Sequence, residues 1–472
     1  MNAIRKGIAS FTGVFLLAGC AVQRYRAAPL FPSATASAFA SRNLGDSGLQ
    51  SFEEQNLGHP LSSWPPQAWD LQTLSLAALY FSPALESARA RIAGTEASIV
   101  TAGARPNPIV SIAPGIPTPY LLTLDFSFPI ETAGKRRHRI EVAHNLDQAA
   151  RFDLADSAWT IRSGVRTALL NYLFASRTLE SLGSEEKVRE DQRNILRQIF
   201  SAGEMPRQNV DLAEIELSKT HIAIIAAEGQ VSEAKAAIAA AVGVPVAAFQ
   251  SVDFSWPKID APPSAESLSA EQVQREAVLN RLDIRRSLAQ YAAAEAALQL
   301  EIAKQYPDMN IGPGYTYEET HSFFTLLFST TVPLFNRNQG PIAEAEARRK
   351  EAAGAFLERQ AQVIAKSERA LAVYTAALKE LAEAESLRKL QETQLQIMQE
   401  TIHAGADNQL SLDNVEIQSW VLVRAQLDAL LRSQRALGEL QDSVQRPLGP
   451  DEMFTITPES PALIGPPKDV KR

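Results

Sequence analysis

The sequence predicts a mostly α protein with a small β part, built by tandem duplication of one unit. Three observations predict it: two stretches of sixty-odd residues without proline, four short segments that alternate apolar and polar residues, and motifs that recur 202 positions apart. A net charge of −8 with 21% charged residues gives no indication of a basic face for nucleic acid.

The N-terminus has the pattern of a secretory signal that ends at a cysteine. Arg5 and Lys6 precede an apolar stretch, and small residues lead into Cys20, the only cysteine in 472 residues. The pattern resembles the lipobox of bacterial lipoproteins, which implies a signal peptide over 1–19 and a covalent lipid on Cys20. Ala21 and Val22 follow without an aspartate, which favours the outer membrane.

The later part of the chain contains no apolar run long enough for a membrane helix. A helical span needs about 20 apolar residues, whereas the best candidate, 236–249, is short and contains Gly243 and Pro245. Any membrane crossing is therefore expected to use strands.

The duplication is visible in matched segments. Ala202-Gly203, Asp211 and Glu214-Ile215 recur 202 positions later as Ala404-Gly405, Asp413 and Glu416-Ile417. Each half is expected to run helix, strand pair, very long helix, turn, helix. The predicted organisation is 1–19 signal peptide, 20–68 extended lipid-anchored segment, 69–250 first repeat with a strand pair at 107–130, 251–267 linker, 268–449 second repeat with a strand pair at 308–332, and 450–472 mobile tail.

The strand pairs have one apolar face each. Period-two alternation over about ten residues is typical of strands with one face in lipid and one in water. The predicted lipid-facing residues are Tyr120, Leu122, Leu124, Phe126, Phe128, Phe324, Leu326 and Phe328. Asp125 is expected to point inward to water. Four strands cannot close a barrel, and open edges are not tolerated in lipid, so strands from several chains must complete the wall.

The long helices are predicted over 135–200 and 342–403. At 1.5 Å per residue, each would extend about 90–100 Å. Leu371, Tyr374, Leu378 and Leu381 step by three and four, as coiled-coil or bundle packing requires.

Three stretches resemble the TolC-type outer-membrane factor family, specifically its CzcC-like heavy-metal efflux branch. They read Val-Pro-Leu-Phe-Asn-Arg-Asn-Gln-Gly at 332–340, Glu-Thr-Ala-Gly-Lys-Arg at 131–136 and Arg-Pro-Leu-Gly at 446–449. The early helix of the family usually contains a proline. Ser82-Pro83 keeps it, whereas Arg281-Leu282 in the second half has lost it.

The resemblance implies a homotrimer with a twelve-stranded transmembrane β-barrel in the outer membrane and a long α-helical coiled-coil barrel that reaches into the periplasm. It also implies docking of a periplasmic adaptor (membrane fusion protein) and an inner-membrane pump of the resistance-nodulation-division type, with heavy-metal cations as cargo. The adaptor-docking turns would contain Ala202, Gly203, Ala404 and Gly405. The periplasmic gate candidates are Asp407, Asp413, Glu416, Asp211 and Glu214, because a ring of carboxylates in a narrow pore favours cations.

Three alternatives stay open. An enzyme is disfavoured because the chain lacks the common nucleophile, zinc and phosphate-loop motifs, so no catalytic residue, metal site or cofactor besides the lipid is expected. A lipid-anchored helical periplasmic scaffold would explain the helices but not the alternating strands. An outer-membrane duct for organic toxicants would have the same architecture with a different cargo.

Overall fold

The computed structural model describes residues 24–115, 121–265, 268–448 and residue 463. The chain forms two compact units, Met1–Arg42 and Asn43–Arg472. The first contains the helix α1 (Pro32–Ala40), whose proline stands in the first turn, where its missing N–H has no helical partner to lose.

The second unit contains the remaining elements in an order that repeats. They are α2 (Ser47–Leu57), β1 (Ala68–Trp69), α3 (Leu71–Phe81), α4 (Pro83–Gly103), β2 (Ile109–Gly115), β3 (Leu121–Ile130), α5 (Lys135–Ser201), α6 (Arg207–Val242), β4 (Asp253–Phe254), α7 (Ala270–Asn280), α8 (Leu282–Ala303), β5 (Met309–Glu318), β6 (His321–Thr330), α9 (Gln339–His403) and α10 (Gln409–Val444). The run from α3 to α6 and the run from α7 to α10 have the same succession of helices and strands.

The two long helices have closely similar lengths in the two halves. α5 has 67 residues and α9 has 65, and each is followed by a return helix of 36 residues. At the usual rise, α5 is about 100 Å long. The absence of proline from the helix interiors keeps their hydrogen-bond ladders continuous; Pro341 lies in the first turn of α9, where it is tolerated.

Both halves break their early helix at a single residue, by different means. In the first half Ser82 caps α4 and Pro83 occupies its first position. The second half lacks that proline. There Arg281 takes an extended conformation, pairs with Asp283 at 2.8 Å and donates to the backbone carbonyl of Ser443 at 2.9 Å. A buried ion pair that is hydrogen-bonded to α10 thus stabilises the interruption between α7 and α8, as proline does between α3 and α4.

The N-terminal segment, which was expected to be extended from 20 to 68, contains helices, so that expectation is wrong for the described part. The carboxylate of Asp46 accepts hydrogen bonds from the backbone of Gly48 and Leu49 and caps α2. Leu49 and Phe52 are buried. The helix is stabilised by this cap and by tertiary burial, which the local composition does not reveal.

A short parallel ribbon ties the start of the first repeat to the predicted linker. Ala68 pairs with Asp253 and Trp69 with Phe254. Trp69 is buried in the largest apolar cluster together with Leu74, Leu169, Ile238, Phe249 and Leu430. Because these residues come from β1, α3, α5, α6, α10 and the turn that follows α6, one core joins the two halves.

The strands lie close to their predicted positions, with one difference at the end of β6. The pair was expected to continue to Val332, but the strand ends at Thr330. Residues 331–333 have no neighbouring strand within the described chain. Among the described residues, no helix has a stretch both long and apolar enough to cross a membrane.

Most of the predicted mobile tail, 450–472, lies outside the described residues. Leu463 is described and buried, in the same apolar cluster as Phe52 and Leu79. Its carbonyl accepts a hydrogen bond from Arg89 Nε at 2.8 Å.

Candidate functional site

The four-stranded sheet has one continuous apolar face. The strand order is β2-β3-β5-β6, and all neighbours are antiparallel. Leu124 stands opposite Ile112 on one side and Tyr315 on the other, and Tyr315 stands opposite Phe324. Because side chains alternate along each strand, this register places most apolar residues of the four strands on the same face.

The predicted lipid-facing residues all belong to that face where the structure describes them. Five are exposed in the single chain, up to 84% for Phe324: Leu122, Phe128, Phe324, Leu326 and Phe328. Leu124 and Phe126 are half-buried, and Tyr120 lies outside the described residues. Adjacent exposed aromatic and aliphatic side chains form an apolar patch of the kind that marks a protein or membrane contact.

The opposite face is more polar and is crowded at one point. Asp125 stands opposite Gly314, and a Cβ atom at that glycine would lie 2.5 Å from both Asp125 Oδ1 and Thr325 Oγ1. The glycine therefore leaves room for the carboxylate. Phe323 and Leu327 also lie on this face, so the polar pattern is incomplete.

Below the sheet, an ionic clasp joins the two halves where β3 ends and β5 begins. Lys135 Nζ lies 2.7 Å from Asp308 Oδ1 and also donates to the carbonyl of Tyr306 at 2.6 Å. The backbone N–H of Thr132 donates to the same Asp308 oxygen at 2.9 Å, and its hydroxyl donates to the Pro307 carbonyl. The first turn of α5 is thereby fixed to the start of β5.

Arginines from α5 complete the junction on the other side. Arg136 donates to the carbonyl of Gly103 at 2.6 Å, and Arg139 donates to the carbonyl of Ala102 while pairing with Glu131. Cationic side chains at the C-terminal carbonyls of α4 satisfy groups that the helix leaves open and complement its dipole.

The turns that were predicted to dock an adaptor have the same geometry in both halves. Gly203 and Gly405 have φ of +77° and +73°, and each N–H donates to a carbonyl three residues earlier at 2.9 Å. Nothing lies within 4 Å of a Cβ atom built on either glycine. The left-handed conformation, rather than lack of space, therefore requires glycine here. Ala202 and Ala404 precede them, and all four residues are exposed.

Four of the five acidic gate candidates are partly or fully exposed, and Asp211, Glu214 and Asp407 each have a polar partner. Asp211 pairs with Arg207 at 3.5 Å on its own helix, and Glu214 of α6 pairs with Arg197 of α5. Asp407 is exposed and accepts from the backbone of Asn408; hydrogen bonds from Ser411 and Asn408 lower its pKa.

Asp413, the counterpart of Asp211, is instead 2% exposed. Its Oδ1 accepts from Gln409 at 2.8 Å, but Oδ2 is buried without a hydrogen-bond partner among the described residues. Burial raises the pKa of Asp413, and the charge of Asp191 on α5 raises it further. That Asp413 lines a constriction stays a prediction; in this conformation the carboxylate is enclosed by the helices.

Glu416 completes an acidic cluster with Asp413 and Asp191. Burial raises the pKa of Glu416, and both neighbouring carboxylates add to the shift. Glu416 also lines a cleft of about 340 Å³ with Lys187 and Trp420. Sequence reasoning missed Asp191, because that residue is distant in the chain from Asp413 and belongs to the other half.

The helices around the cluster are held together by polar contacts. Buried Glu185 of α5 accepts from Arg189 at 2.6 Å and pairs with Arg424 of α10. Gln192 of α5 donates to Asn414 of α10 at 2.9 Å. These polar contacts stabilise the packing of α5 against α10, whereas repulsion among the carboxylates of the acidic cluster destabilises it.

The sequence of the first repeat matches the family model described as Outer membrane efflux protein over residues 74–244, from within α3 to just past the end of α6. Over these residues the chain is similar to the outer membrane efflux protein family. The match lies in the first repeat, and the second repeat contains the same succession of elements. The resemblance inferred from the sequence motifs is therefore confirmed.

Two curated proteins and one solved structure are similar to this chain. The cobalt-zinc-cadmium resistance protein CzcC of Cupriavidus metallidurans is 23% identical over 266 residues, which cover 55% of this chain and only 62% of that protein. The pyoverdine export outer membrane protein OpmQ of Pseudomonas putida is 24% identical over 403 residues, 75% of this chain and 82% of that protein. The outer membrane protein VceC of Vibrio cholerae has the same fold, with a TM-score of 0.63 and 19% identity over 80% of this chain and 97% of VceC.

Two further predictions concern the lipid attachment residue and a metal site. Cys20, the predicted lipid attachment residue, lies outside the described residues. Among the residues that the structure describes, no three histidine, cysteine, aspartate or glutamate side chains are grouped to hold a metal ion.

Proposed function

We propose that this chain is the outer-membrane exit duct of a tripartite efflux system, a passive homotrimeric channel without catalytic activity. The observation that carries the proposal is the family match over residues 74–244. A duct of this kind joins a periplasmic adaptor and an inner-membrane pump, and the pump supplies the energy and selects the cargo.

The exposed apolar face of the sheet supports a membrane position for the strands. Phe324 and Phe328 are too exposed to belong to a soluble core, and they stand on the same face as the aliphatic residues of the neighbouring strands. Four strands with two open edges need further strands in lipid. Three copies would supply twelve, enough to enclose a solute path.

The exposed glycine turns support docking at the far end of the long helices. Gly203 and Gly405 give two turns of the same geometry per chain, hence six in a trimer. Repeated, solvent-exposed turns of one shape are suited to a ring of adaptor subunits. A lipid on Cys20 would tether the N-terminal unit to the outer membrane, since each buried methylene adds roughly 0.8 kcal/mol.

The gate is proposed to be acidic, with Asp407 at its exposed rim and Asp413 and Glu416 deeper in the helix packing. In the single-chain conformation Asp413 is enclosed, so it would meet the solute path only when α5 and α10 move apart. Like charges at Asp191, Asp413 and Glu416 favour such a separation.

Heavy-metal cations are the proposed cargo, on the likeness to a cobalt-zinc-cadmium resistance protein. The likeness to a pyoverdine export protein supports an organic cargo as the second candidate. Growth of a strain without this gene, in graded cobalt, zinc or cadmium and in graded organic toxicants, separates the two. Sensitivity to the cations alone supports the first, and sensitivity to the organic compounds alone overturns it.

Single-channel conductance in a planar bilayer tests the duct itself, with the purified full chain at several salt concentrations. We expect discrete, cation-preferring steps, and a weaker cation preference in Asp407→Asn and Asp413→Asn. Glu344→Gln is the control, because Glu344 is an exposed carboxylate paired with Arg348 and is not among the gate candidates. A chain that sizes as a stable monomer and gives no steps in any variant would leave the anchored helical scaffold as the better account.

A further inference from the structure

The two outer strands of the sheet, β2 and β6, are paired on one side only within the described chain. We propose that β6 of one copy pairs with β2 of the next in a fixed register, with Val332 opposite Ile112 and Leu334 opposite Val110. We call this β6–β2 pairing the seam between copies and the β3–β5 pairing the internal seam. We further infer that, at the end next to the long helices, the seam between copies is apolar, whereas the internal seam is ionic. The inference rests on the proposed trimeric channel and assigns the residues that would close it.

The first step is the correspondence between β2 and β5, which share three of four residues in one segment. Ile112-Ala113-Pro114-Gly115 in β2 matches Ile311-Gly312-Pro313-Gly314 in β5, at an offset of 199 positions. Both segments lie inside strands and end in the same Pro-Gly pair. The correspondence therefore fixes which residue of β2 plays the part of each residue of β5.

The second step is the correspondence between β3 and β6. Ser127-Phe128-Pro129-Ile130 matches Thr331-Val332-Pro333-Leu334 at an offset of 204 positions. The residues that precede the long helices, Gly134 and Asn338, differ by the same 204 positions and both have left-handed φ, +72° and +65°. The two offsets agree with each other, because together they convert the β2–β3 register into the observed β5–β6 register.

The internal seam between β3 and β5 then serves as the template. Phe128 stands opposite Ile311 and Ile130 opposite Met309. Moving the β3 residues forward by 204 gives Val332 and Leu334, and moving the β5 residues back by 199 gives Ile112 and Val110. All four side chains then fall on the apolar face of the sheet.

The template also explains why the strand ends early in one chain. The last residues of β3, Phe128 to Ile130, pair with β5 alone, because the β2–β3 ladder stops at Ile109 and Ser127. Their counterparts, Val332 to Leu334, would likewise pair only with the next copy. In the single chain they are not strand, and the N–H of Leu334 turns back to the carbonyl of Val332 at 2.9 Å.

At the end next to the long helices, the two seams differ in chemistry. Next to the internal seam stand Glu131 and Asp308, which are held by Arg139 and Lys135. The corresponding residues at the seam between copies are Phe335 and Ile109, which are 100% and 58% exposed in the single chain. Two large exposed apolar residues at matched positions are expected to bury each other when the copies meet.

Paired cysteines test the register. Ile112→Cys with Val332→Cys is the matched pair, and Ala113→Cys with Thr331→Cys is the neighbouring pair on the other face. Direct partners in antiparallel strands have Cα atoms about 4.5–5.5 Å apart, within reach of a disulfide. Inside one chain β2 and β6 are separated by three strand spacings, about 14 Å, so any bond must join two copies.

The control pair is Val110→Cys with Val332→Cys, which is two residues out of register on the same face, about 7–8 Å apart and beyond ready bridging. The wild-type chain, with Cys20 alone, and each single variant give the background. Membranes from cells that make the full chain are oxidised, and the products are separated without reductant, while trimers are sized in parallel.

At least one of the two in-register pairs is expected to link copies severalfold more than the control pair, and this supports the seam. Stronger linking in the control pair overturns the register. Absence of linking in every pair, from variants that size as trimers, overturns the seam and leaves the trimeric channel standing. A wild-type chain that sizes only as a monomer overturns the channel itself, and the seam with it.

Discussion

At the scale of single residues, Glu53 of α2 is a buried carboxyl group without hydrogen-bond partners among the described residues. It is 0% exposed. Burial raises the pKa of Glu53 to about 8, and the charge of Asp70 adds to the shift. An acid whose folded pKa is raised binds its proton more tightly in the folded state, so stability declines as pH rises from about 4.5 towards 8.

Glu53→Gln is therefore expected to stabilise the protein at pH 9 and to leave it nearly unchanged at pH 4. Thermal unfolding at the two pH values measures this, and the gain at high pH is on the order of a few kcal/mol. Glu54→Gln is the control, since Glu54 is half-buried and already accepts from Gln50 and Leu61. An equal gain at both pH values would show that the charge of Glu53 is not the cause.

Arg281 is the converse case, a buried charge with full partners. Its guanidinium pairs with Asp283 and donates to two carbonyls of α10. Burial alone would raise the pKa of Asp283, but hydrogen bonds and charge from Arg281 outweigh it and lower the value. The pair thus contributes stability that is present above the ordinary pKa of 3.8 and is lost as pH falls below it.

Removing one partner leaves the other charge buried, so Arg281→Ala is expected to lower the free energy of unfolding by about 3–5 kcal/mol. Urea unfolding at pH 7 measures the loss. Arg348→Ala removes an exposed i,i+4 pair with Glu344 and should change stability by less than about 0.5 kcal/mol. Similar small losses in both variants would mean that the helix break does not depend on Arg281.

At the scale of elements, the β3–β5 pairing depends on a glycine. A Cβ atom at Gly312 would lie 1.7 Å from the backbone oxygen of Phe126. The backbone of β3 cannot withdraw without breaking the ladder, so Gly312→Ala is expected to disrupt the sheet and prevent assembly. Heat-resistant oligomers on a gel measure this. Gly354→Ala is the control. Gly354 is exposed on α9 with no atom within 4 Å of a Cβ built there, and alanine is the better helix former, so this variant should assemble normally.

The acidic cluster acts between elements, on the packing of α5 against α10. The pKa of Asp413 is raised by burial and by Asp191, so its carboxylate destabilises the packing increasingly as pH rises above about 4. Asp413→Asn is expected to raise the melting temperature at pH 8 but not at pH 4. Asp211→Asn, at the corresponding position of the first half, should give no gain at either pH, since Asp211 is exposed and paired. A gain from both variants would contradict this reasoning.

The elements show where sequence alone was sufficient. Strict alternation placed the strands within a few residues, and the lack of proline placed the long helices, because both signals are local. α2 was missed because its stability comes from the burial of Leu49 and Phe52. Asp191 was missed because the approach of α5 to α10 brings it near Asp413 from more than 200 positions away. Hydrophobic periodicity and amino-acid composition do not reveal contacts between helices that are distant in the sequence.

At the scale of the whole molecule, the two kinds of seam predict different responses to salt. Salt screens the exposed part of the Lys135–Asp308 ion pair, whereas an apolar contact has no charge to be screened. Trimers are therefore expected to persist in 1 M NaCl, where the Debye length is about 3 Å and exposed charges are largely screened. Sizing in detergent at low and high salt measures this, and dissociation at high salt would contradict an apolar seam between copies.

A charge at the apolar seam should have the opposite effect. Phe335→Glu is expected to reduce the trimer fraction severalfold, because the proposed contact with Ile109 would bury a carboxylate without a partner. Tyr306→Glu is the control, since Tyr306 is also exposed but lies beside the internal seam. Loss of trimers in the control alone would move the contact between copies to another surface.

Under the proposed assembly, the open edges of the sheet also affect how fast channels form. A lone chain has unpaired backbone groups along β2 and β6 that lipid cannot satisfy, so it cannot settle in a bilayer by itself. Under the proposed assembly, membrane entry must accompany the meeting of three chains, and its rate then rises more steeply than linearly with their concentration. Halving the synthesis of this chain would reduce the rate at which new channels appear by more than half.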